Sequence, residues 1–328
     1  MNIFYTTDER FVGKIAASIC SVFENNRDME QITVYIICQE VSADSKQKFV
    51  SLGEQYNRSV QVIDLKPLDQ YFDFSFDTNG WAPIVLARLL VGKLLPESVE
   101  RVLYMDGDTV NIGSLQKLWN TDLHGKVLGA CIEATIDEER KRSLDMEGYP
   151  YINAGVLLFD LKKWREEQWG EQIIAYYREH FGRLFANDQD AINGALKDEI
   201  YYLEPKYNFY NIYWFYPYRV LKKLMGQTYY YSRDVVGESI QNPAIIHYLG
   251  EERPWRKGNT HKFRSHYEKY HDMTPWKDEP LEEGWKLYFI CWNIFNKVMI
   301  PFPMLRYQII NRLIPVFMKW RKRQLSKK

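Results

Sequence analysis

Arg101-Val102-Leu103-Tyr104-Met105-Asp106-Gly107-Asp108-Thr109-Val110 is the stretch from which the fold can be read. Val102 to Met105 is an unbroken apolar run that stops at two carboxylates. Such a run reads as a strand of a parallel sheet, buried on both faces, delivering Asp106 and Asp108 to its carboxyl end. Open α/β sheets bind their ligands at that end. Two carboxylates one residue apart, with Gly107 permitting close approach, suit a hard divalent cation that keeps positions open for phosphate oxygens. A nucleoside diphosphate is the cargo that this pairing suggests. Asp-Gly-Asp is also a common turn sequence, and Asp-x-Asp-Thr-Val fits phosphatases in which the first aspartate attacks phosphate. The strand alone leaves all three readings open.

The flanking sequence supplies the sheet. Met1 to Asp8 reads as a first strand, Val12 to Phe23 as a helix, Ile32 to Cys38 as a second strand, Ser42 to Tyr56 as a helix capped by Ser42, and Val60 to Leu65 as a third strand. Alternation of this kind predicts an α/β fold with a mostly parallel sheet and flanking helices. Pro83 to Leu94 reads as a helix carrying Arg88, which suits either a structural ion pair or a phosphate contact. Val127 to Glu133 and Tyr151 to Leu161 read as further strands, the second with Asn153 at its entrance, and Lys162 to Phe181 as one long helix. Asn187-Asp188-Gln189-Asp190 opens another helix with more polar residues than capping requires. Ala244 to His247 reads as a late strand ending in His247, either a structural histidine or a ligand, followed by a loop to Trp255; His261, His266 and His271 fall near a solvated helix and receive no role.

Composition narrows the class. With 46% hydrophobic and 26% charged residues the 328-residue chain is globular. Its four cysteines lack disulfide or metal spacing and read as reduced core residues of a cytosolic protein. Net charge is zero, yet from Gly284 onward there is no acid and ten basic residues, leaving 33 basic against 43 acidic residues before that point. In this tail Leu305, Ile309, Leu313 and Phe317 recur at helical spacing, while the longest apolar run, Leu287 to Trp292, is far below the ~20 residues that span a bilayer. The pattern predicts basic amphipathic helices on an anionic membrane surface, with a packed C-terminal subdomain or a nucleic-acid tail as the alternatives, against which the interleaved Trp, Phe and Ile speak.

Four separated features, in order over about residues 1 to 260, resemble glycosyltransferase family 8, the group of bacterial lipopolysaccharide α-galactosyl- and α-glucosyltransferases and glycogenin. They are the opening strand ending in Asp8, Tyr104-Met105-Asp106-Gly107-Asp108, Asn153-Ala154-Gly155-Val156 with Asp188-Gln189 downstream, and His247-x-x-Gly250-x-x-Arg253-Pro254-Trp255. The resemblance implies a single-domain GT-A fold over residues 1–260, followed by a helical tail over 261–328. It implies a retaining hexosyltransferase that uses a UDP-sugar and manganese, with magnesium as a substitute, and a glycan or glycolipid acceptor, which the basic tail would place at the inner face of the cell membrane. Asp106, Asp108 and His247 would hold the metal. Thr6, Thr7, Asp8 and Phe11 would grip uracil and ribose, while Arg88, Gly107, Gly250 and Arg253 would face the diphosphate. Asn153, Asp188 and Gln189 would surround the donor sugar, Gln189 near its anomeric carbon. The chain departs from the family where Arg253 replaces a usual lysine, Glu133 a shorter aspartate and Arg10 a small polar residue. Acceptor recognition is expected in the loops Thr135 to Pro150 and Tyr207 to Val236. Removal of residues 284–328 is expected to abolish membrane binding and spare donor hydrolysis. The alternatives are an aspartyl-phosphate phosphatase with Asp106 as nucleophile and an inactive membrane-associated scaffold.

Overall fold

Strands β1 (Asn2–Asp8), β2 (Thr33–Gln39), β3 (Ser59–Asp64) and β4 (Arg101–Met105) run parallel at one side of a seven-stranded sheet in the computed structural model, which describes residues 1–325 and side chains through residue 318. The remaining strands are β5 (Thr109–Asn111), β6 (Leu128–Ile132), β7 (Ile152–Asp160), β8 (Ile200–Tyr202) and β9 (Ile245–His247). Sheet order is β3-β2-β1-β4-β7-β6-β8, with β5 and β9 forming a separate pair. The sheet is mostly parallel, but β7 runs antiparallel to both β4 and β6. The reversal matters for the site: it brings the start of β7, with Asn153 and Gly155, to the carboxyl end of β4.

The period-two alternation of the strands divides the core. Phe4, Tyr35 and Ile37 point to a layer that includes Leu90, Val91, Trp164, Ile173 and Ile192. Ile3, Tyr5, Ile36 and Cys38 point to the opposite layer, where the helix Val12–Asn25 packs with Phe49 and Leu52. A third cluster, rich in tyrosine, lies beyond the site and contains Tyr210, Tyr213, Tyr230, Tyr248 and Trp255.

Several local expectations change. Pro83 to Leu94 is a 3-10 helix over Pro83–Leu90 continued by an α-helical turn, Val91–Leu94. The helix expected over Lys162 to Phe181 is broken into Leu161–Glu166 and Trp169–Glu179, because Gln168 adopts a left-handed conformation between them. His261 and His271 are buried rather than solvated: the His261 ring meets Trp214 and Tyr248, and that burial lowers its pKa to about 3. Cys20, Cys38 and Cys131 are buried, Cys291 is exposed, and all four are unpaired.

The C-terminal helices are Lys286–Met299 and Pro303–Leu325. Their inner side packs on the body. Arg306 is buried, stacks 3.9 Å from the Phe215 ring centroid and donates to Tyr216 Oη (2.7 Å) and Asn296 Oδ1. Trp285 lies 3.6 Å from the Arg256 guanidinium, and Asn311 Nδ2 donates to Asp137 Oδ2 at 2.7 Å. Outward, Leu287, Ile290, Ile294, Val298, Ile300, Phe302 and Leu305 are exposed. No helix among the described residues is long and apolar enough to cross a membrane. Of the predicted basic cluster, Lys327 and Lys328 lie outside the described residues, as do the side chains of Lys319, Arg321, Lys322 and Arg323.

Candidate active site

Backbone register assembles the site from segments far apart in sequence. β1 and β4 pair in parallel with Phe4 opposite Tyr104, so Thr6 and Asp106 emerge side by side at the carboxyl end of the two strands. Immediately after the acidic pair, β5 pairs antiparallel with β9, placing Thr109 opposite His247. The Tyr248 N–H donates to the Asp108 carbonyl at 2.9 Å. Phe209 bonds the other edge of β9, accepting from the His247 N–H at 2.8 Å, which carries Asn208 to the imidazole.

Asp106, Asp108 and His247 present ligand atoms within 4.8 Å of one another. His247 is buried; its Nε2 lies 3.2 Å from Asp108 Oδ1 and 3.8 Å from Asp106 Oδ2, and makes no hydrogen bond. A buried ring nitrogen without a hydrogen bond, facing two carboxylates, is a liability unless a cation sits between them. The donor set of two oxygens and one nitrogen therefore fits a manganese-type ion. Burial alone would raise the Asp108 pKa, but His247 and Arg253, the latter 3.2 Å away, outweigh it and hold the carboxyl below its ordinary value. Gly107 leaves no room for a side chain, since a Cβ there would meet Ile15 Cγ1 at 2.5 Å and Phe11 Cδ1 at 3.0 Å.

A second group surrounds Arg88. Its buried guanidinium donates to the Ala154 carbonyl (2.6 Å) and to Asp106 Oδ1 (2.8 Å), and its Nε lies 2.8 Å from Asp188 Oδ2. It also lies 4.3 Å from the Tyr104 ring centroid, while the Tyr104 hydroxyl donates to Asp106 Oδ1 at 2.6 Å. One guanidinium thus serves two carboxylates. Burial, only partly offset by Arg88 and reinforced by Asp106, raises the Asp188 pKa to about 6. Arg88 thus makes the structural ion pair that the sequence allowed: it orients Asp106 as it bridges to Asp188.

Gln189 accepts from the Ala154 N–H at 2.9 Å and donates to Tyr151 Oη at 3.2 Å. Thr6 Oγ1 is 3.5 Å from Tyr104 Oη, and Thr7 is buried with its hydroxyl on the Asp8 carbonyl. Asp8 caps the turn Glu9–Phe11 and pairs with Arg10 at 2.6 Å. Phe11 meets Trp255 edge-on at 5.5 Å, and the Arg253 guanidinium lies 5.7 Å from its ring centroid. Gly250 has a φ of +71°, a turn conformation that few other residues tolerate. Among the described residues, Thr7, Asp8, Arg10 and Gly250 thus have no hydrogen bond or ion pair with Asp106, Asp108 or Asp188, while Thr6, Phe11, Arg88, Asp106, Asp108, Asn153, Asp188, Gln189, His247 and Arg253 are linked through hydrogen bonds, ion pairs and ring contacts.

Asn208 and the Tyr151 hydroxyl had no sequence signal, whereas Asp190 belonged to the polar surplus at the start of its helix. Tyr151 Oη donates to buried Asp190 Oδ1 at 2.6 Å, which also pairs with Arg140 at 2.7 Å. Gly155 lay in a quoted motif, and its need for glycine is now evident: a Cβ would fall 2.2 Å from His247 Cε1.

The family model of glycosyl transferase family 8 matches residues 2–259. A putative glycosyltransferase of Haemophilus influenzae is 28% identical over 270 residues, covering 80% of this chain and 74% of its own. A lipopolysaccharide 1,2-glucosyltransferase of Escherichia coli is 25% identical over 291 residues, covering 85% and 80%. Among solved structures, the galactosyltransferase LgtC in complex with donor and acceptor sugar analogues superposes with a TM-score of 0.71 at 24% identity, covering 87% of this chain and 99% of that one. The shared architecture is the GT-A fold.

Proposed function

Because the chain belongs to glycosyltransferase family 8, we propose that it transfers a hexose from a UDP-sugar to a hydroxyl of a glycan or glycolipid, with retention at the anomeric carbon and with manganese in the site. The observation that carries this reading is the convergence of Asp106, Asp108 and the unbonded Nε2 of His247 beside Arg253 and Arg88. A bound divalent cation supplies charge neutralisation for a departing diphosphate.

The protein's own groups account for the rest. Arg253 and the Gly250 turn flank the diphosphate and stabilise its growing negative charge in a preorganised setting. Thr6, Thr7, Asp8 and Phe11 hold the uridine, Phe11 by stacking. Asp188, ionised at neutral pH, accepts from sugar hydroxyls and opposes the positive charge of an oxocarbenium-like transition state. Gln189 is an amide whose carbonyl is already bonded to Ala154 N–H, which makes it a poor nucleophile. Attack from the leaving-group face follows, a β-phosphate oxygen taking the acceptor's proton. The phosphatase alternative loses support, because the family model that matches residues 2–259 is that of a glycosyl transferase.

The same reading places the enzyme at the inner membrane face. The outward apolar row from Leu287 to Leu305 supports it. So does a neighbouring cleft of about 540 Å³ lined by Arg219, Lys223, Pro301, Phe302 and Leu305, where cations and apolar groups meet as at a lipid head-group boundary. A thermal-shift and hydrolysis screen of UDP-glucose, UDP-galactose and their N-acetyl forms, with and without manganese, tests the assignment. Manganese-dependent stabilisation by one of them, lost in Asp108→Ala, is the expected result. No shift with any of the four would favour the scaffold alternative.

A further inference from the structure

His247 can act as a ligand through Nε2 only if its proton resides on Nδ1. The surrounding hydrogen bonds determine where that proton goes. Starting from the backbone, the Gly155 N–H can only donate, and it donates to Asn153 Oδ1 at 2.9 Å. That contact orients the Asn153 amide and leaves its Nδ2 facing Glu133 Oε2 at 3.3 Å, an acceptor. A flipped Asn153 would oppose donor to donor at Gly155 and acceptor to acceptor at Glu133. The same Asn153 Oδ1 takes a second hydrogen bond, at 2.8 Å, which must come from Asn208 Nδ2. Asn208 therefore turns its oxygen toward His247 Nδ1, 2.8 Å away. An amide oxygen only accepts, so Nδ1 carries a hydrogen, and in the neutral ring Nε2 then keeps its lone pair toward Asp106 and Asp108.

The geometry points to a relay in which Glu133, Asn153 and Asn208 act as positioning residues that set the tautomer and ring orientation of His247 as a metal ligand. The proposal rests on the metal reading above and deepens it by assigning work to Asn208, which no sequence motif marked, and by giving the Asn153 amide a second-layer task. All four side chains are buried, so water does not compete for these bonds. Gly155 closes the arrangement from below, since any Cβ there would strike the imidazole at Cε1 and Nδ1. Partners of this kind commonly contribute 10- to 100-fold, as an order of magnitude, to metal affinity.

Two measurements on the full chain separate the relay from the metal reading. Proton–nitrogen NMR of the metal-free protein at alkaline pH, with His247 assigned by comparison with His247→Gln, reports the neutral tautomer directly. The expected signature is Nδ1–H in the wild type and in Asn208→Asp, whose carboxylate still accepts from Nδ1, and a shift toward Nε2–H in Asn208→Leu. Manganese titration should then give similar affinities for wild type and Asn208→Asp, and a loss of about 10- to 100-fold for Asn208→Leu. A purely structural role would instead make the aspartate, a buried charge repelled by Asn153 Oδ1, as damaging as leucine. An Nε2–H tautomer in the wild type would overturn the relay, as would unchanged tautomer and affinity in Asn208→Leu. Should the wild type hold Nδ1–H yet bind no manganese, the relay stands and the metal reading falls.

Discussion

Asp188 and Asp106 share a single guanidinium, and neither can be fully neutralised by Arg88 alone. The consequence appears in proton binding. The folded-state pKa of Asp188, about 6, exceeds its ordinary value of 3.8, so the folded protein holds a proton that the unfolded chain releases between these values. The stability this confers is complete below about pH 4 and is lost as pH rises through about 6, opposite to an ordinary salt-bridged aspartate. Asp188→Asn, which cannot ionise, should therefore gain on the wild type across that window in the metal-free protein, by up to ~3 kcal/mol at neutral pH. Melting curves of both proteins against pH measure the difference; a flat difference would mean that Arg88 neutralises Asp188 after all. Activity should move the other way. Donor hydrolysis by the wild type should rise through about pH 6 as Asp188 becomes the acceptor that sugar hydroxyls need, and Asp188→Asn should be slow at every pH.

Elements meet at the site through polar clasps as well as apolar packing. The helix Asn187–Leu196, which carries Asp188 and Gln189, is tied to the entrance of β7 by Asn193. This side chain accepts from the Ile152 N–H at 2.7 Å and donates to the Ile152 carbonyl at 2.9 Å, satisfying both backbone groups of one residue. Asn193→Leu keeps the volume but strands two buried polar groups, at a cost of about 3 kcal/mol. A lowered melting temperature is expected, together with weakened donor binding, because the strand that presents Ala154 and the helix that presents Gln189 would no longer hold a common register. Unchanged donor affinity in the folded variant would show that apolar packing alone sets the position of the helix.

The molecule as a whole has a two-sided C-terminal region. Arg306, Trp285 and Asn311 bind it to Tyr216, Arg256 and Asp137, the last two lying in loops that border the site. Leu287, Ile290 and Ile294 point away from the body. Truncation before residue 284 thus removes an exposed apolar face and a structural buttress together, and donor hydrolysis should fall along with any vesicle binding. Replacing Leu287, Ile290 and Ile294 by serine removes only the outward face. That variant should retain manganese-dependent donor hydrolysis and lose most of its binding to anionic vesicles, measured by co-sedimentation. Vesicle binding equal to that of the wild type would refute the membrane role of this face.

Local sequence determined the strands and the main helices, because the apolar periodicity of β1, β2 and β4 and the cap at Ser42 act over a few residues. It also marked the Asp106–Asp108 pair at a strand end, while His247 and Asp188 stayed open between structural and chemical readings until the order of motifs along the chain was considered. The reversal of β7, the break at Gln168 and the burial of His261 were not legible, for each depends on neighbours distant along the chain. The same holds for Asn208, an unremarkable amide until β9 pairs with β5 and Phe209 brings it to His247. Hydrogen-bond polarity is a property of a closed set of partners, so the protonation pattern of the site was decided only by the tertiary structure.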